Sequence, residues 1–548
     1  MNARLPQPWW QDLNSPKFTW TVPSEFNIAQ ACVDLQEPND CALIVDADDR
    51  STEYTFGEVA SLSRKFSTVL KHLGLNAGER IGVMVPQGIE VLTAHLGAFR
   101  AGVVTVPLSV KFGPDAVYQR LRDSQTRVLV VDAKGFARIR DSLVHVPSLE
   151  AVLLIGETPF GTSPIDIFPY DRLVAEAAED PETAATGPDS HAIIIYTSGT
   201  TGSPKGALHG HRILPAHMPG VRIAFSDAPQ PQDVFWTPAD WAWIGGLFDV
   251  LFPALAMGCT VIATPDQFTP ARALEVMRRY KVTASFIPPT ALKQMRSTRV
   301  DRASAEGVRL RALATGGESL GEALLAWVKN TFGVAINEFY GQTEMNMTIG
   351  TSRSAWAAKP GSMGQAFPGF TVALLDPIGD EVDTGQIGEI CVATGNPGQF
   401  LRYWNQPGET SDKVHGGWIH TGDLGRSDNE GNLWYEGRID DVISSAGYRI
   451  GPGEIEECLL SHDAVAMAGV IGVPDELRGE AVRAFVVLAV GVSESEALRK
   501  ELQDHVKSQL AFYQYPRQIT FIDQLPQTAT GKILRRELKH LAEDATDQ

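Results

Sequence analysis

The segment from Thr197 to Lys205 offers the groups that bind phosphate. It follows an apolar run at 192–196 and reads Thr-Ser-Gly-Thr-Thr-Gly-Ser-Pro-Lys. Backbone N–H groups approach a ligand closely where glycine has no Cβ, hydroxyl groups donate further hydrogen bonds, and the lysine adds positive charge. The segment is not a Walker loop, because the chain has no Gly-x-x-x-x-Gly-Lys-Ser/Thr. A solvated linker is the alternative for this composition, but the strand-like run before it favours a phosphate-binding loop.

Five further segments combine glycines with acidic, aromatic and basic residues. The segments are Thr315-Gly316-Gly317-Glu318-Ser319, Asn337-Glu338-Phe339-Tyr340-Gly341-Gln342-Thr343-Glu344, His420-Thr421-Gly422-Asp423-Leu424, Tyr435-Glu436-Gly437-Arg438-Ile439-Asp440-Asp441 and Pro526-Gln527-Thr528-Ala529-Thr530-Gly531-Lys532. Together with the loop, in this order, they resemble the motifs of the AMP-forming adenylating superfamily of acyl-CoA synthetases, carrier-protein adenylation domains and luciferases. The resemblance spans roughly residues 35–540 and is greatest to medium-chain acyl-CoA synthetases.

The resemblance implies a ligase that uses ATP, Mg²⁺ and coenzyme A (CoA). A carboxylate attacks the α-phosphate of ATP and expels pyrophosphate, and the thiol of CoA then displaces AMP from the acyl-adenylate. The first step needs charge neutralisation and in-line positioning. By resemblance Glu344 and Thr197 ligate Mg²⁺, Thr343 bonds the α-phosphate, and Lys532 bridges carboxylate and α-phosphate. Thr343, Glu344 and Lys532 are therefore the predicted catalytic residues.

The nucleoside is expected to contact other motif positions. Tyr340 would stack on adenine, Asp423 would accept hydrogen bonds from both ribose hydroxyls, and Arg438 would donate to them. Taken singly, Tyr340 would more often be a core residue and Asp423 a turn residue. The predicted ATP site comprises Thr197, Ser198, Gly199, Thr200, Thr201, Gly202, Ser203, Pro204, Lys205, Gly316, Gly317, Glu318, Glu338, Phe339, Tyr340, Gly341, Gln342, Thr343, Asp423, Arg438 and Lys532.

CoA is expected to bind the C-terminal part of the chain. In the family this part rotates about the position of Asp440, which exchanges Lys532 for a face that admits the thiol. Gly447 would let the pantetheine arm pass close to backbone, and basic side chains suit the CoA phosphates. Solvated surface charges are the alternative for each basic residue. The predicted CoA-binding residues are Ala446, Gly447, Tyr448, Arg449, Arg478, Lys507, Tyr515 and Arg517.

The acyl pocket is expected to be deep and mainly apolar. Acetate-specific relatives carry Trp where this chain has Gly341, and larger residues where it has Gly245 and Gly316. Trp241 and Ile244 are further predicted lining residues, and Phe339 is a candidate for the same wall. The resemblance thus implies a medium-chain, branched or aryl acid in preference to acetate. The glycines could instead serve turns.

Other functions fit fewer of these residues. Residues 317–321 match the Gly-x-Ser-x-Gly of a hydrolase, with Ser319 as nucleophile and Asp423 and His462 as possible partners. That interpretation leaves the phosphate loop and the Lys532 segment unexplained. A carrier-protein-loading or oxygen-using adenylating enzyme is the nearer alternative. A catalytically idle nucleotide-binding protein is disfavoured by the presence of Lys532, Arg438 and Glu344.

Lys532 also suggests a form of regulation. The spacing Pro526-x-x-x-x-Gly531-Lys532 resembles the segment that protein acetyltransferases recognise in relatives. Acetylation would remove the charge of Lys532 and block the first step only. A protein acetyltransferase is therefore a predicted partner.

Composition favours a cytoplasmic globular protein. The net charge of −19 over 548 residues argues against nucleic-acid binding, so basic groups must be concentrated locally to bind anions. The five cysteines form no Cys-x-x-Cys and suit reduced thiols. No apolar stretch is long enough to predict a membrane span. Whether the chain is a monomer or a dimer is left open.

Alternating strand and helix patterns position these motifs. Residues 80–131 predict β-α-β-α-β, which indicates an α/β fold with doubly wound, largely parallel sheets. From about 371 to 436, short strands separated by Gly-Asp turns predict a small β-barrel-like unit. We expect a large AMP-binding domain over 1–439 and a small, mobile α+β domain over 440–548, with Asp440 as hinge.

Overall fold

The computed structural model describes residues 18–47, 50–157, 165–180, 182–197, 204–318, 320–352, 355–356, 359–445, 448–475, 478–511, 513–528 and 533–544. Within these ranges the strands are β1 Cys41–Ala47, β2 Arg50–Thr55, β3 Arg80–Met84, β4 Val104–Pro107, β5 Val128–Asp132, β6 Ala151–Ile155, β7 Asp166–Pro169, β8 His191–Thr197, β9 Lys205–Gly210, β10 Val234–Trp236, β11 Thr260–Ala263, β12 Ala284–Phe286, β13 Ala312–Gly316, β14 Ile336–Gln342, β15 Asn346–Gly350, β16 Gln365–Ala366, β17 Val372–Leu375, β18 Gly388–Ala393, β19 Arg402–Tyr403, β20 Val414–His415, β21 Trp418–Ser427, β22 Leu433–Arg438, β23 Ile443–Ser445, β24 Tyr448–Ile450, β25 Val465–Asp475, β26 Gly479–Leu488 and β27 Gln518–Phe521.

The α-helices are α1 Phe56–His72, α2 Ile89–Ala101, α3 Pro114–Asp123, α4 Ala133–Leu143, α5 Tyr170–Glu176, α6 Ile213–Ala224, α7 Ile244–Gly246, α8 Phe252–Ala256, α9 Pro270–Arg279, α10 Pro289–Ser297, α11 Glu322–Phe332, α12 Pro407–Lys413, α13 Pro452–Leu460, α14 Glu496–Gln509 and α15 Arg535–Asp544. Gln30–Asp34 and Leu247–Leu251 are π-helical, and Ile439–Asp441 forms a 3₁₀ turn. Among the described helices, none has both the length and the apolar character needed to cross a bilayer.

Two large sheets with parallel centres form the body of the molecule. The first, sheet A, has the strand order β16-β15-β14-β13-β12-β10-β11-β1-β2, and the second, sheet B, has β19-β9-β8-β4-β3-β5-β6-β7. In sheet A the six central strands, β1, β11, β10, β12, β13 and β14, pair in parallel. The edge strands β2, β15 and β16 pair antiparallel. Strands such as β5 are buried along nearly their whole length, as a parallel sheet covered on both faces requires. The predicted α/β class is confirmed.

Two smaller sheets follow in the chain. Sheet C joins β17-β18-β21-β20, with β22 on β21, by antiparallel pairing. Sheet D joins β24-β23-β26-β25, with β27 parallel to β26, and is packed by α13, α14 and α15. The β19 strand lies within the range predicted for the β unit but pairs with β9 in sheet B. The domain boundary at 439 and the mobility of the C-terminal part stay predictions.

Candidate active site

Motif residues on β14, on β21 and in the turn after β14 lie together where sheets A, B and C meet. The β14 strand of sheet A contacts sheet C, since the Tyr340 hydroxyl donates to Asp423 Oδ2 at 2.7 Å. The turn after β14 contacts sheet B, where His209 Nε2 donates to the Thr343 carbonyl at 2.7 Å. Sheet B also supplies Tyr403, whose hydroxyl donates to Glu344. These contacts join residues that lie up to 204 positions apart, as in the ion pair of Lys205 with Glu409.

Asp423 is the centre of the predicted nucleoside site. It is 4% exposed and accepts hydrogen bonds from Tyr340, from Gln342 Nε2 at 2.7 Å and from Arg438 Nη1 at 3.2 Å. Burial opposes the charge on Arg438, but Asp423 and Asp440 outweigh it and raise the pKa of the guanidinium. A buried carboxylate with several donors is a strong acceptor.

Glu389 stabilises the turn that carries Asp423. The Gly422 N–H donates to Glu389 Oε1 at 2.9 Å, and the other oxygen of Glu389 lies 2.8 Å from His420 Nδ1. Gly422 has a φ of +74° and Arg438 lies against it, so a side chain there would be strained and crowded. The Thr-Gly-Asp sequence therefore provides the glycine that the turn requires as well as the carboxylate.

Lys413, which our sequence interpretation missed, lies beneath the same network. Its Nζ donates to Gln342 Oε1 at 2.7 Å and to the Thr421 carbonyl at 3.3 Å. Burial lowers the pKa of Lys413, while the nearby carboxylates of Glu344 and Asp423 favour its charged form. The lysine fixes which end of the Gln342 amide faces Asp423. A single lysine in a polar helix gives no sequence signal of this role.

Glu344, the predicted Mg²⁺ ligand, is 7% exposed. Its side chain accepts from Tyr403, and its carbonyl accepts from the Phe400 N–H at 2.9 Å. Burial and Glu344 together raise the pKa of the Tyr403 phenol, which keeps it a donor. Thr197, the second predicted ligand, ends β8, and its hydroxyl lies 3.4 Å from the Lys205 carbonyl. A carboxylate and a hydroxyl are hard oxygen donors of the kind Mg²⁺ prefers, so these residues fit the ion.

A second group of donors, outside the predicted ligands, could also hold a metal ion. Ligand atoms of Glu389, Cys391 and His420 all lie within 4.8 Å of one another. Cys391 and His420 are cross-strand neighbours in sheet C. Burial and Glu389 raise the pKa of the Cys391 thiol to about 12, so the group serves first as a hydrogen-bonded support.

His209 is another residue that only the tertiary structure reveals. Burial lowers its pKa to about 3, so its ring is neutral near pH 7. Because the Thr343 carbonyl can only accept, Nε2 must carry the proton. This bond holds the backbone between Thr343 and Glu344.

The residues predicted to face the purine lie on β13, β14 and the loop that follows β13. Gly317 has a φ of +96°, which favours glycine. Glu318 pairs with Lys293 at 3.1 Å. Burial raises the pKa of Glu338 to about 7; Leu320 opposes this shift through a backbone hydrogen bond, and Glu457 adds to it.

The predicted acyl-pocket residues lie together in part. A Cβ at Gly245 would approach the Phe286 ring at 3.2 Å, and Phe286 packs on Phe339 with ring centroids 5.4 Å apart. At Gly316 a Cβ would lie 2.7 Å from the Phe339 carbonyl. Gly341 has even less room, because a Cβ there would overlap the Asn346 carbonyl. These two glycines therefore have a strand-packing reason as well, and the pocket assignment stays a prediction. Ile244 begins α7, and Trp241 is buried.

The predicted CoA-binding residues form a basic and aromatic cluster in the C-terminal part. Lys507 Nζ lies 4.2 Å and Arg517 Cζ 4.0 Å from the centroid of the Tyr515 ring. Arg478 pairs with Asp475 at 3.3 Å, and burial together with Arg478 lowers the pKa of Arg517. The cluster is a local concentration of cations in an acidic chain.

Three further residues that were predicted to bind CoA or to act as the hinge are described by the structure. Tyr448 is stacked on Tyr513, with ring centroids 4.0 Å apart. The backbone of Arg449 pairs with Ser444 in sheet D. Asp440 lies in the 3₁₀ turn after β22, and its Oδ2 is 3.8 Å from Arg438 Nη2.

Several predicted residues lie outside the described part of the chain. They are Ser198, Gly199, Thr200, Thr201, Gly202, Ser203, Ser319, Ala446, Gly447 and Lys532. The hydrolase alternative can still be examined through the partners suggested for Ser319. Asp423 is engaged by Tyr340, Gln342 and Arg438, and His462 lies 3.3 Å from Glu501. Neither pairs with the other, so the structure gives no support to that triad.

Comparison with known proteins gives a consistent result. The family model described as AMP-binding enzyme matches residues 31–404, and that described as AMP-binding enzyme C-terminal domain matches residues 454–532. The chain is 33% identical over 534 residues to the mitochondrial acyl-coenzyme A synthetase ACSM4 of Rattus norvegicus, covering 94% of this chain and 91% of that protein. It is 34% identical over 493 residues to the benzoate–CoA ligase of Thauera aromatica, covering 90% and 91%.

Solved structures agree over the whole length. The anthranilate CoA ligase AuaEII in complex with anthranoyl-AMP superposes with a TM-score of 0.88 at 27% identity, covering 96% of this chain and 99% of that chain. A benzoate CoA ligase from Burkholderia xenovorans LB400 superposes with a TM-score of 0.81 at 29% identity, covering 94% and 100%. The fold is thus shared with enzymes that join acids to CoA.

Proposed function

The chain belongs to the AMP-binding enzyme family, and on that premise we propose that it is an AMP-forming acid–CoA ligase. In the first step a carboxylate oxygen of the acid attacks the α-phosphorus of ATP. The new O–P bond replaces the bond to the β-phosphate oxygen, and pyrophosphate leaves. In the second step the thiolate of CoA attacks the acyl carbon, a C–S bond forms, the C–O bond breaks and AMP leaves.

The observation that carries this proposal is the convergence on Asp423. One buried carboxylate, held by Tyr340, Gln342 and Arg438, lies beside a turn that ends in Thr343 and Glu344. This arrangement can bind a ribose and direct a phosphate toward a metal-binding carboxylate. The bonds to Asp423 join sheets A and C, and Tyr403 and His209 link Glu344 and Thr343 to sheet B, which a motif retained by chance would not do.

We assign the first step to residues around Glu344. Glu344 with Thr197 would hold Mg²⁺, which supplies charge neutralisation on the phosphates when bound. Thr343 would donate to the α-phosphate, and Lys205 would add charge once Glu409 releases it. Lys532 would bridge the acid and the α-phosphate. Positioning of this kind supplies much of the barrier reduction in phosphoryl-type transfers.

The second step is assigned to the C-terminal cluster. Lys507, Arg517 and Arg478 would bind the phosphates of CoA, and their grouping around Tyr515 is the structural support. Carrier-protein loading is the second candidate for the acceptor. Free CoA is favoured, since this group of cations suits a compact polyphosphate ligand.

We further propose an acid larger than acetate as substrate. Phe286 and Phe339 offer an apolar wall next to Gly245. Each methylene that the pocket buries would add about 0.8 kcal/mol, or roughly fourfold in affinity. The acetyl-coenzyme A synthetase of Bacillus subtilis is also 32% identical over 506 residues, covering 91% of this chain and 87% of that protein, so the acid must be measured directly.

The test is to follow nucleotide products with purified enzyme. ATP, CoA and a panel of C2–C10, branched and aromatic acids should give AMP, pyrophosphate and a thioester in equal amounts. Formation of ADP, or of thioester without ATP, would contradict the proposed chemistry. Thioester formation with free CoA also separates this function from carrier-protein loading. Maximum kcat/KM with acetate would contradict the proposed acid class alone.

Regulation by acetylation of Lys532 is a separate proposal. The modified enzyme should lose ATP-dependent thioester formation but still convert preformed acyl-adenylate and CoA into thioester. The measurement compares the two half-reactions before and after acetylation, with Lys532→Gln as the matched variant. An unchanged first half-reaction would refute the proposal. Cytoplasmic location and oligomeric state stay predictions that fractionation and light scattering would test.

A further inference from the structure

Behind the predicted acyl pocket lies a buried carboxyl group that the proposed reaction does not use. Asp249 occupies the π-helical segment Leu247–Leu251, four residues after Gly245. Side chains one turn apart lie on the same side of a helix. A Cβ at Gly245 would lie 3.6 Å from Asp249 Oδ2. Gly245 has no side chain to cover Oδ2 of Asp249, so this oxygen lies next to a predicted pocket residue, on the side that Phe286 also approaches. π-helical segments occur frequently at functional sites.

His217 is the polar neighbour of Asp249. His217 Nε2 lies 3.5 Å from Asp249 Oδ1, and within the described residues we find no other hydrogen-bond or ion-pair partner of this carboxyl. His217 Nδ1 lies 2.8 Å from the Ile213 carbonyl. A carbonyl only accepts, so Nδ1 carries the proton. Burial lowers the pKa of His217 to about 4, so Nε2 presents a lone pair to Asp249.

The tautomer of His217 bears on the protonation state of Asp249. An ionised carboxylate facing a lone pair would be repelled, whereas a neutral carboxyl can donate its proton to Nε2. Burial raises the pKa of Asp249 to about 8, in agreement with a neutral group near pH 7. Oδ1 lies 3.5 Å from His217 Nε2, which forms no hydrogen bond in the described part of the chain, and no hydrogen bond to Oδ2 is found among the described residues.

We propose that Asp249 is a specificity-determining residue whose Oδ2 accepts a hydrogen bond from a hydroxyl or amino group on the acyl part of the substrate. The inference rests on the proposed function and names its substrate class: hydroxy- or amino-substituted acids of medium-chain or aryl type. A hydrocarbon acid leaves the buried acceptor unpaired. Sites that hydrogen-bond a substrate group reject analogues that lack it much more strongly than apolar pockets reject size changes.

The test compares acids that differ only in a hydroxyl and a methyl group. Each ω-hydroxyalkanoate of C5–C8 is paired with the alkanoate that has methyl in place of hydroxyl. Each hydroxybenzoate is paired with the corresponding methylbenzoate. For at least one pair, kcat/KM for thioester formation should favour the hydroxy acid by about tenfold or more. If the methyl acid of every pair is used equally well or better, the inference is overturned.

Two variants then assign the effect to Asp249. In Asp249→Asn the amide N–H can donate to His217 Nε2 and the amide oxygen remains an acceptor, so the hydroxy-to-methyl ratio should be kept. In Asp249→Leu the ratio should fall to about one or below. Loss of the ratio in the Asn variant would mean that an ionised carboxylate is required, which overturns the acceptor assignment.

Gly245→Ala provides a check that does not alter Asp249. Its methyl group would cover Oδ2, so it should lower the ratio whatever its effect on kcat/KM for the methyl acid alone. The ratio is taken within one protein sample, so partial unfolding affects both acids equally. A wild-type enzyme that makes no thioester from any acid refutes the proposed function. Thioester without the preference refutes the specificity alone.

Discussion

At the scale of single residues, the site depends on side chains that orient the motif residues. Gln342 donates to Asp423 because Lys413 occupies its amide oxygen. His209 performs a similar task for Thr343. Neither residue belongs to a motif, and each acts through a residue that does. They are positioning residues.

Replacement of Lys413 by Met should show whether this lysine positions the nucleotide-binding residues alone. Without the ammonium group Oε1 of Gln342 loses its donor, and the amide that donates to Asp423 is held only through its Nε2, by Asp423 and the Thr421 carbonyl. We expect KM for ATP to rise about tenfold, the effect of about 1.4 kcal/mol, with KM for the acid nearly unchanged. Lys329→Met, at an exposed lysine near the end of α11, is the control. Equal changes in both KM values would contradict the positioning role.

Glu338 gives a prediction for pH. Burial raises its folded-state pKa to about 7 from an ordinary value of 4.5. A raised carboxyl pKa means that the folded protein holds the proton more tightly, so its stabilising contribution is present below about pH 4.5 and is lost as pH rises toward 7. Gln mimics the neutral carboxyl at every pH.

Glu338→Gln should therefore raise the free energy of unfolding relative to wild type above pH 7, by up to roughly 3 kcal/mol, and change it little at pH 5. Denaturant unfolding at both pH values measures this difference. The exposed Glu322→Gln serves as the comparison. An equal difference at pH 5 and pH 8 would show that Glu338 does not titrate in this range.

At the scale of elements, the turn between β14 and β15 depends on one glycine. The strands pair antiparallel with a register shift between Tyr340 and Gly341. That shift brings the Asn346 carbonyl against the Gly341 Cα. Asn346 itself has a φ of +63°. A large side chain at Gly341 is therefore a poor test of pocket depth, since it must move backbone before it reaches the acid.

Gly341→Ala should lower the free energy of unfolding of the large domain by more than about 1 kcal/mol, because overpacking against backbone shifts a whole strand pair. Gly408→Ala in α12, where a Cβ meets no atom within 4 Å, should be neutral or stabilising by up to about 1 kcal/mol. Thermal and denaturant unfolding of both variants provide the measurement. A Gly341→Ala protein as stable as Gly408→Ala would contradict this packing account.

At the scale of the whole molecule, the acidic chain concentrates cations where anions are to bind. The net charge is −19, yet Lys507 and Arg517 both lie over one ring, with Arg478 nearby. The C-terminal part also contacts the large part through Glu457, which accepts from the Glu322 N–H at 3.3 Å. The two parts therefore meet at α11 and α13 in this orientation.

Removing cations from the cluster should affect only the second step. The double variant Lys507→Ala, Arg517→Ala should raise KM for CoA tenfold or more, since each charged contact contributes roughly 1.5–3 kcal/mol where it is made. Acid-dependent exchange of pyrophosphate into ATP should be unchanged. Lys500→Ala, an exposed lysine on the same helix, is the control. A loss of pyrophosphate exchange would show that the cluster serves the nucleotide instead.

Much of this protein could be predicted from the sequence by itself. The α/β class is confirmed, as is the membership in the adenylating family with its ligase chemistry. The β-α-β-α-β order predicted for residues 80–131 is found as β3, α2, β4, α3 and β5, because buried parallel strands and amphipathic helices follow from local hydrophobic patterns. Motif spacing also located Asp423, Tyr340 and Glu344.

Only the tertiary structure brought in Lys413, His209 and the pair of Asp249 with His217. Their roles depend on contacts between residues that are distant in the chain, such as Lys413 with Gln342 and His209 with Thr343. A side chain's pKa and hydrogen-bonding role depend on which groups surround it after folding. Sequence spacing therefore predicted which residues could do chemistry, and burial in the folded chain decided the direction of the pKa shifts of groups such as His209, Lys413 and Asp249.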